Sequence, residues 1–448
     1  MKQNCFPCFL NRCTLFIKST LVISLILFLY TEAQSQRPNI IYIMTDDMGW
    51  GDLSGYGRKD YQTPNLDKLA SQGIKFVNAY SAAPICTPTR IAFITGRYPA
   101  RTPVGLLEPL TGSKKDSAYG LTTDYPSVAS LMKSSGYETA LIGKWHLGFL
   151  PQHSPVKNGF DYFFGIHSGG ADYFSHKGDP GAHDLYENDS LVYPEGYLTT
   201  LFSQKAVAFL KRKHNKPFFL ELAFNAPHWP WQGPTDKAYN DTVDFKAGGS
   251  PAIYASMMKS LDDEVGNIMK TLDEEQLSNQ TIVIFTNDNG GERYSDNGGL
   301  SKNKTNLWEG GIRVPAFVRW PGKINAGAIT QQLAITMDWT ATILAAGNAK
   351  PPTEFPLDGI NLMPVLTGKE KNIERTFYWR TIQRTHQKAI RMNEWKYLQD
   401  EKGEYLFNLA NDKEEKVDLK TQQQDVFNKL KKMYAEWENT VLKPSTIN

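Results

Sequence analysis

The chain has 448 residues, of which 41% are hydrophobic, and this is ample for one large domain and a smaller one. Its 49 basic and 47 acidic residues leave a formal net charge of only +2. Such a balance gives no reason to expect binding to nucleic acid or to a membrane surface, so an anionic substrate would have to be attracted by a local group of charges.

The N-terminal segment 1–33 has the pattern of a signal peptide. Lys2, Arg12 and Lys18 supply positive charge before the apolar stretch 19–30. This stretch is shorter than the about 20 residues that a membrane-spanning helix needs. We therefore expect cleavage near residue 33 and export to the periplasm or the medium, without a stable membrane anchor.

Beyond this leader, four short apolar runs are each followed by polar residues. Runs of this kind, rich in β-branched residues, are typical of strands that are buried on both faces. The runs span 39–44, 139–142, 218–224 and 281–285, and the residues after them include Asp46 and Asp47, Lys144 and His146, His228, and Asp288 and Asn289.

Helical segments separate these runs. A helix over 64–72 has Pro64 in its first turn and Gly73 directly after its end. Further helices are expected near 123–135, 199–213 and 253–274. The alternation predicts an α/β fold with a large, mostly parallel central sheet flanked by helices. Because ligands of such sheets bind beyond the carboxyl ends of the strands, we expect the polar groups to meet in one cleft.

The character of the sequence changes near residue 370. Segments 388–398 and 405–409 are typical of antiparallel strands joined by a turn, and 421–442 has the pattern of an amphipathic helix. We therefore predict a large domain over 34–370 and a small C-terminal α+β domain, an antiparallel sheet with a helix, over 371–448.

Cys86 is the single cysteine outside the leader. An unpaired cysteine is either a buried core residue or a group with a chemical role. It begins the segment Cys86-Thr87-Pro88-Thr89-Arg90, in which Pro88 suits the first turn of a helix and Arg90 falls one turn after Cys86 on the same face. The N-terminus of such a helix favours an anion beside Cys86.

This motif, followed by Thr95-Gly96-Arg97, resembles the modification motif of the type I sulfatases, which have the alkaline-phosphatase-like fold. Gly143-Lys144-Trp145-His146-Leu147-Gly148 is similar to a second motif of that family, and the resemblance covers almost the whole chain after the leader. In that family a maturation enzyme oxidises the cysteine to formylglycine, an aldehyde whose hydrate supplies the nucleophilic hydroxyl. The resemblance thus implies hydrolysis of sulfate esters.

The resemblance also implies roles for the basic residues. His146 would remove a proton from the second hydroxyl of the hydrate, and Lys144 would stabilise the sulfated group. Arg90 would hold the formylglycine and offset its charge. His228 and Lys302 would contact the bridging ester oxygen and assist departure of the alcohol.

Asp46, Asp47, Asp288 and Asn289 offer hard oxygen ligands, a set that suits Ca²⁺ or Mg²⁺ and does not suit zinc. An isolated Asp-Asp after a strand is more simply a helix cap, whereas a second acidic group at an equivalent strand end indicates a metal site. In the sulfatases the matching positions bind one calcium ion, which also contacts the formylglycine, here formed from Cys86.

Substrate contacts are expected from the loops near these motifs. Ser168 lies near the position of a sulfate-contacting serine of some sulfatases, and a turn serine is the simpler alternative. His183 and Trp231 are further candidates, for which ordinary packing is the alternative.

The leader and the motifs together resemble exported bacterial sulfatases that act on sulfated polysaccharides or their oligosaccharides, with ulvan, carrageenan, fucan and glycosaminoglycan types as candidates. The expected partners are therefore a sulfated carbohydrate and a formylglycine-generating enzyme. Two other functions stay open. One is a phosphodiesterase or phosphonate monoester hydrolase of the same superfamily, and the other is an inactive relative that only binds carbohydrate.

Overall fold

The computed structural model describes residues 37–113, 116–178, 181–239 and 244–447. The predicted signal peptide, 1–33, lies outside these residues. The chain from Pro38 onward groups into one compact unit, and a domain boundary at residue 370 stays a prediction. No helix of the described segments combines the length and the apolar character that a membrane crossing requires.

The described residues form strands in three sheets, of which the largest has ten strands. In chain order the strands are β1 (Asn39–Thr45), β2 (Ile74–Phe76), β3 (Ala79–Tyr80), β4 (Glu138–Lys144), β5 (Tyr162–Ile166), β6 (Tyr186–Glu187), β7 (Ser190–Leu191), β8 (Phe218–Ala223), β9 (Thr281–Asn287), β10 (Ala316–Arg319), β11 (Ala328–Thr330), β12 (Ala334–Ile335), β13 (Thr376–Arg380), β14 (Lys388–Met392), β15 (Trp395–Asp400) and β16 (Gly403–Asn408).

The large sheet has the strand order β11-β2-β10-β9-β1-β8-β4-β5-β6-β7. Its centre, β9-β1-β8-β4-β5, is entirely parallel, and antiparallel pairs occur only toward the two edges. The central strands are buried on both faces: in β1, Tyr42 faces one apolar cluster and Ile41 and Ile43 face the other. Double burial explains why these strands read as unbroken apolar runs.

Helices cover both faces of this sheet. On one face, the helix that begins at Cys86 packs against a helix over Thr336–Ala346. On the other face, the helices Leu198–Lys211 and Pro251–Glu274 pack against each other. The α-helices span Pro64–Ser71, Cys86–Thr95, Val128–Ser134, Leu198–Lys211, Pro251–Glu274, Glu309–Ile312, Thr336–Ala346, Met363–Leu366 and Gln424–Glu438.

The C-terminal part forms a separate antiparallel sheet with the order β13-β14-β15-β16. The helix Gln424–Glu438 packs against β14 and β15. The predicted fold, a mostly parallel sheet flanked by helices with a small antiparallel sheet and a helix at the end, is thereby confirmed. The elements that were not predicted include strand β5, strand β10 and the helix Thr336–Ala346.

Candidate active site

The carboxyl ends of four neighbouring strands lie side by side. Thr45 at the end of β1 is paired with Asn287 of β9, and Ala223 of β8 is paired with Met44 of β1 and with Gly143 of β4. Because these strands are parallel and in this register, the polar residues that follow them emerge at the same edge of the sheet. The predicted convergence of the four groups is therefore present.

The acidic residues after β1 and β9 form one buried cluster. The backbone N–H of Asp47 donates to Asp288 Oδ1 at 3.2 Å, and Asn289 Nδ2 donates to Asp47 Oδ1 at 2.7 Å. One ligand atom each of Asp46, Asp47 and His228 lie within 4.8 Å of one another. Within the described residues, Asp46 Oδ1 and Asn289 Oδ1 are buried and find no hydrogen-bond partner. Buried oxygens without a donor fit a hard cation.

The carboxylates of this cluster differ strongly in proton affinity. Burial alone would raise the pKa of Asp46, but Lys144, His228 and Arg90 together hold that pKa well below its ordinary value. Burial and the nearby Asp46 raise the pKa of Asp288 to about 8. Crowded carboxylates cannot all ionise without positive charge, so the cluster favours a divalent cation.

Three cations face these carboxylates. Lys144 Nζ lies 2.5 Å from Asp46 Oδ2, and an Arg90 terminal nitrogen lies 3.1 Å from Asp288 Oδ2. Lys304 Nζ lies 2.6 Å from Asp47 Oδ2. Against the opposing effect of burial, Asp47 and other nearby acidic groups raise the pKa of Lys304 well above its ordinary value, so this lysine is charged at neutral pH.

The position predicted for Lys302 is taken by Lys304. Lys302 is exposed, its backbone has φ +63°, and it does not line the cavity above Cys86. Residues two apart in an extended segment face the same side, so sequence position does not separate these lysines. The left-handed turn at Lys302 puts only Lys304 into the cluster, and the placement of Lys302 there is corrected on this geometry.

Cys86 is the first residue of the buried helix Cys86–Thr95, as the motif predicted. Burial raises the pKa of its thiol, while Lys144 and Lys304 act in the opposite direction. Arg90, one turn later, also donates to the backbone oxygen of Lys144 at 3.2 Å. This bond ties the helix to the end of β4, so the cysteine and the lysine keep a fixed relation.

His146 is buried against the segment that follows Cys86. Its Nε2 lies 2.9 Å from the carbonyl oxygen of Leu110, so Nε2 carries the hydrogen and Nδ1 is left as an acceptor. Nδ1 has no hydrogen-bond partner among the described residues. Burial and Lys144 lower the pKa of this imidazole well below its ordinary value. The Thr87 hydroxyl contacts the backbone of both His146 and Leu110, at 3.3 and 3.1 Å, and fixes their positions.

His228 is held in the neutral form. Its Nδ1 lies 2.5 Å from the Trp229 carbonyl oxygen, and its Nε2 lies 3.6 Å from Asp47 Oδ2. Burial lowers its pKa to about 4 despite the nearby aspartates. With hydrogen on Nδ1, the lone pair of Nε2 points toward the acidic cluster.

A cavity of about 200 Å³ opens directly above this centre. Cys86, His146, His228 and Lys304 line its floor. Ser168 also lines it, but its hydroxyl donates to the backbone of Gly170 at 2.9 Å. Gly169 and Gly170 pack so closely on the rings of His146 and His228 that an added Cβ would come within 2.7 and 3.1 Å of ring atoms.

Two predicted substrate contacts lie outside this cavity. His183 is held by the backbone oxygens of Ser175 and Val192 and stacks on Tyr193. Trp231 is buried and packs edge-on against Tyr294. Packing, the alternative stated for such residues, describes both of them.

The cavity contains residues that sequence reasoning missed. They come from distant loops, and no motif marks them. Those with charged side chains are Lys246, Glu292, Lys304 and Arg384.

The comparison with solved structures shows an alkaline-phosphatase-like hydrolase fold. Two crystal structures of Ps i-CgsB, one free and one in complex with k-i-k-neocarrahexaose, are 33% identical to this chain. They superpose with TM-scores of 0.83 and 0.82 over 92% of this chain and 94% of theirs.

The family follows from the sequence models. A sulfatase model matches residues 38–349, and a model of the C-terminal part of N-sulphoglucosamine sulphohydrolase matches 301–440. This chain belongs to the sulfatase family and is a sulfuric ester hydrolase.

Two human relatives show the range of that family. N-acetylgalactosamine-6-sulfatase of Homo sapiens is 35% identical in an alignment 370 residues long that covers 77% of this chain and 69% of the relative. Steryl-sulfatase of Homo sapiens is 32% identical in an alignment 446 residues long that covers 79% of this chain and 74% of the relative. Their names share the sulfate and differ in the alcohol, so the family alone does not identify the substrate.

Proposed function

We propose that this sulfatase hydrolyses sulfate esters on a sulfated carbohydrate, a polysaccharide of ulvan, carrageenan or glycosaminoglycan type or its oligosaccharides. The observation that carries the proposal is the cavity that contains Cys86, His146, His228 and Lys304 together, with Trp229 on its wall. Half-buried aromatic side chains offer a face against which a sugar ring packs. The similarity to N-acetylgalactosamine-6-sulfatase and to a structure solved with k-i-k-neocarrahexaose supports a sugar.

The nucleophile in this proposal is formylglycine, made from Cys86 by a maturation enzyme. Its hydrated aldehyde would supply the attacking hydroxyl. Cys86 fits this role because its side chain lies at the cavity floor and at a helix N-terminus, where an anion is favoured.

The neighbouring side chains suit the proton transfers. Nδ1 of His146 is an unshared acceptor on a ring that stays neutral, so this imidazole is in the protonation state that a general base requires. Lys304 and Lys144 place positive charge beside the sulfate. His228, with its low pKa, is a poor proton donor at neutral pH, so we assign charge stabilisation at the leaving oxygen to Lys304.

Asp46, Asp47, Asp288 and Asn289 would hold one calcium ion, with the modified Cys86 beside it. Three carboxylates and an amide form a hard oxygen set, and two of their oxygens, on Asp46 and Asn289, are buried without a donor. A bound calcium ion would supply positive charge that stabilises the sulfate oxygens.

The test of activity is release of free sulfate from a panel of sulfated polysaccharides, their oligosaccharides and an aryl sulfate. The protein is produced together with a formylglycine-generating enzyme, and the mass of the Cys86 peptide confirms conversion. We expect release that is absent from Cys86→Ala. Fully converted protein that releases phosphate from matched esters in strong preference to sulfate, or that binds the polymers without turnover, would contradict the proposal.

The metal is tested separately from turnover. After chelation, added Ca²⁺ should raise the melting temperature, since a ligand that binds the folded state stabilises it by about 2.7 kcal/mol at one hundred times its dissociation constant. Asp288→Ala should lose this response, and Asp263→Ala, on an exposed helix face, should keep it. Equal calcium responses in both variants would place the ion elsewhere.

Export is part of the proposal and rests on the leader alone. N-terminal sequencing of protein secreted by a bacterial host should begin near residue 34. A start at Met1 in the membrane fraction would contradict it.

A further inference from the structure

Among the described residues, two cations line the cavity above Cys86 and are not used by the proposed chemistry, Lys246 and Arg384. We propose that Arg384, assisted by Lys246, binds a second anionic group of the substrate, so that the enzyme prefers sugars carrying a sulfate or carboxylate beside the sulfate that is removed. This inference rests on the proposed function and specifies its substrate class.

Arg384 is oriented but not neutralised. It lies in the loop between β13 and β14, and its Nε donates to the carbonyl oxygen of Glu108 at 2.9 Å. Among the described residues it forms no ion pair, and its side chain is exposed at the cavity. An anchored Nε leaves the two terminal nitrogens as a fork of donors, the geometry that binds sulfate and carboxylate.

Glu108 fixes the loop that carries Arg384. Its carboxylate accepts hydrogen bonds from the backbone N–H groups of Ile382, Gln383 and Arg384, at 2.8, 2.9 and 3.2 Å. The Glu108 backbone N–H in turn donates to Gln383 Oε1 at 2.8 Å. Five contacts between the same two segments, including the Nε bond, make this loop a rigid part of the cavity wall.

The same wall reaches the catalytic centre. Two residues after Glu108, the carbonyl oxygen of Leu110 contacts His146 Nε2. Arg384 is thus held in a fixed relation to the proposed base, although the two residues lie in loops that follow strands of different sheets. In such a position Arg384 can bind a group that lies at a set distance from the scissile sulfate.

The charge of the remaining rim agrees with an anionic ligand. Lys246 Nζ lies 5.1 Å from the ring of Trp229, which holds the lysine on the cavity side, and it forms no ion pair with a described residue. Among the described residues, the one acidic side chain that lines the cavity is Glu292, which lies 3.4 Å from Lys304. The rim therefore carries an excess of positive charge for a group on the substrate.

The experiment compares substrates that differ in one anionic group. Converted wild type and Arg384→Gln are assayed on an aryl sulfate, on a monosulfated oligosaccharide, and on matched oligosaccharides with a second sulfate or a uronate. We expect Arg384→Gln to raise KM for the doubly anionic sugars about 10- to 100-fold, the loss of one charge-assisted hydrogen bond. KM for the aryl sulfate and kcat for all substrates should change less than about threefold.

Companion variants complete the test. Lys246→Gln should shift KM in the same direction by a smaller factor, Arg384→Lys should recover part of the loss, and Lys402→Gln, in an exposed turn of the C-terminal sheet, should behave as wild type. The sulfate and uronate arms identify the second group. Calorimetry of each sugar with Cys86→Ala, and with Cys86→Ala that also carries Arg384→Gln, compares the affinities without turnover.

The two proposals fail in different ways. Sulfate release by wild type with equal KM changes on all substrates, or with none, overturns the role of Arg384 and leaves the function standing. Absence of sulfate release from every ester overturns the function, and absence of an Arg384 effect on calorimetric binding then overturns the subsite as well.

Discussion

Lys302 and Lys304 are only two positions apart in the sequence but have different surroundings. Lys304 contacts Asp47 at 2.6 Å in the acidic cluster, and Lys302 is exposed. Lys304→Ala should lower kcat about 10²- to 10⁴-fold, since it removes a charge beside the reacting sulfate. Lys302→Ala is the matched control and should stay within about twofold of wild type.

Steady-state sulfate release from one aryl sulfate is sufficient to compare these two variants. Circular dichroism and melting temperature show whether each is folded. If Lys302→Ala loses activity and Lys304→Ala keeps it, the geometric assignment is wrong and the placement predicted from sequence is right.

Glu221 on β8 makes stability depend on pH. Burial raises its pKa from 4.5 to about 8, although Arg90 opposes this. Between these values the folded protein retains a proton that the unfolded chain has lost, so unfolding releases a proton and stability falls as pH rises. Glu221→Gln removes this contribution, and its stability relative to wild type should rise by up to about 1.4 kcal/mol per pH unit across that window.

Urea unfolding of wild type and Glu221→Gln at several pH values between 5 and 8 measures the effect. Glu401→Gln, at an exposed turn, serves as the control and should follow wild type. Parallel stability curves for all three proteins would show that Glu221 ionises normally in the fold.

At the scale of elements, the helix that carries Cys86 ends where Gly96 adopts φ +67°. A Cβ at Gly96 would lie 2.7 Å from Leu357 Cδ2 and 3.1 Å from Thr340 Cγ2. Gly322 has a similar φ of +73° with open space around it. Gly322→Ala should therefore lower the free energy of unfolding by about 1 kcal/mol, the cost of an alanine in the left-handed conformation. Gly96→Ala should lower it by about 1–3 kcal/mol more, because the added Cβ also clashes with its neighbours.

Denaturant unfolding of the two glycine variants separates conformational strain from packing. The slope of unfolding free energy against denaturant concentration should match wild type in both variants, so that the unfolding midpoints report stability. Equal losses at Gly96 and Gly322 would mean that the helix end adjusts without cost.

The elements that build the centre were predictable because each is local. The strands before Asp46, Lys144, His228 and Asp288 are apolar runs buried on both faces, and parallel register brings their ends together. The helix Thr336–Ala346 was missed because almost all its residues are buried, and it therefore lacks the polar face that marks a helix in sequence.

The rim of the cavity was not predictable in the same way. Arg384 reaches it only through the contact of its loop with Glu108, about 275 positions away in sequence. Likewise, the choice between Lys302 and Lys304 depends on one left-handed turn. His183 and Trp231 were named for their residue types, and their surroundings are those of packed side chains.

At the scale of the whole molecule, a buried charge cluster joins the C-terminal sheet to the rest of the fold. Lys396 on β15 is fully buried and lies 2.9 Å from Glu309 and 2.7 Å from Glu415. Glu309 also contacts the hydroxyl of Tyr80 on β3 at 2.6 Å and Arg313 at 3.3 Å. The C-terminal sheet and the rest of the fold should therefore unfold together in one transition.

Lys396→Met should destabilise the protein by about 3–5 kcal/mol, because it leaves the buried Glu415 without its cation and Glu309 with Arg313 alone. Lys402→Met, at the exposed turn after β15, is the matched control and should change stability by less than about 0.5 kcal/mol. Adding Glu309→Gln and Glu415→Gln to Lys396→Met should recover part of the loss, since the charges that lost their partner are then removed.

Unfolding followed by far-ultraviolet circular dichroism and by tryptophan fluorescence should give one coincident transition in wild type. A wild-type transition that splits in two, or a Lys396→Met protein as stable as Lys402→Met, would mean that apolar packing alone holds the C-terminal sheet in place.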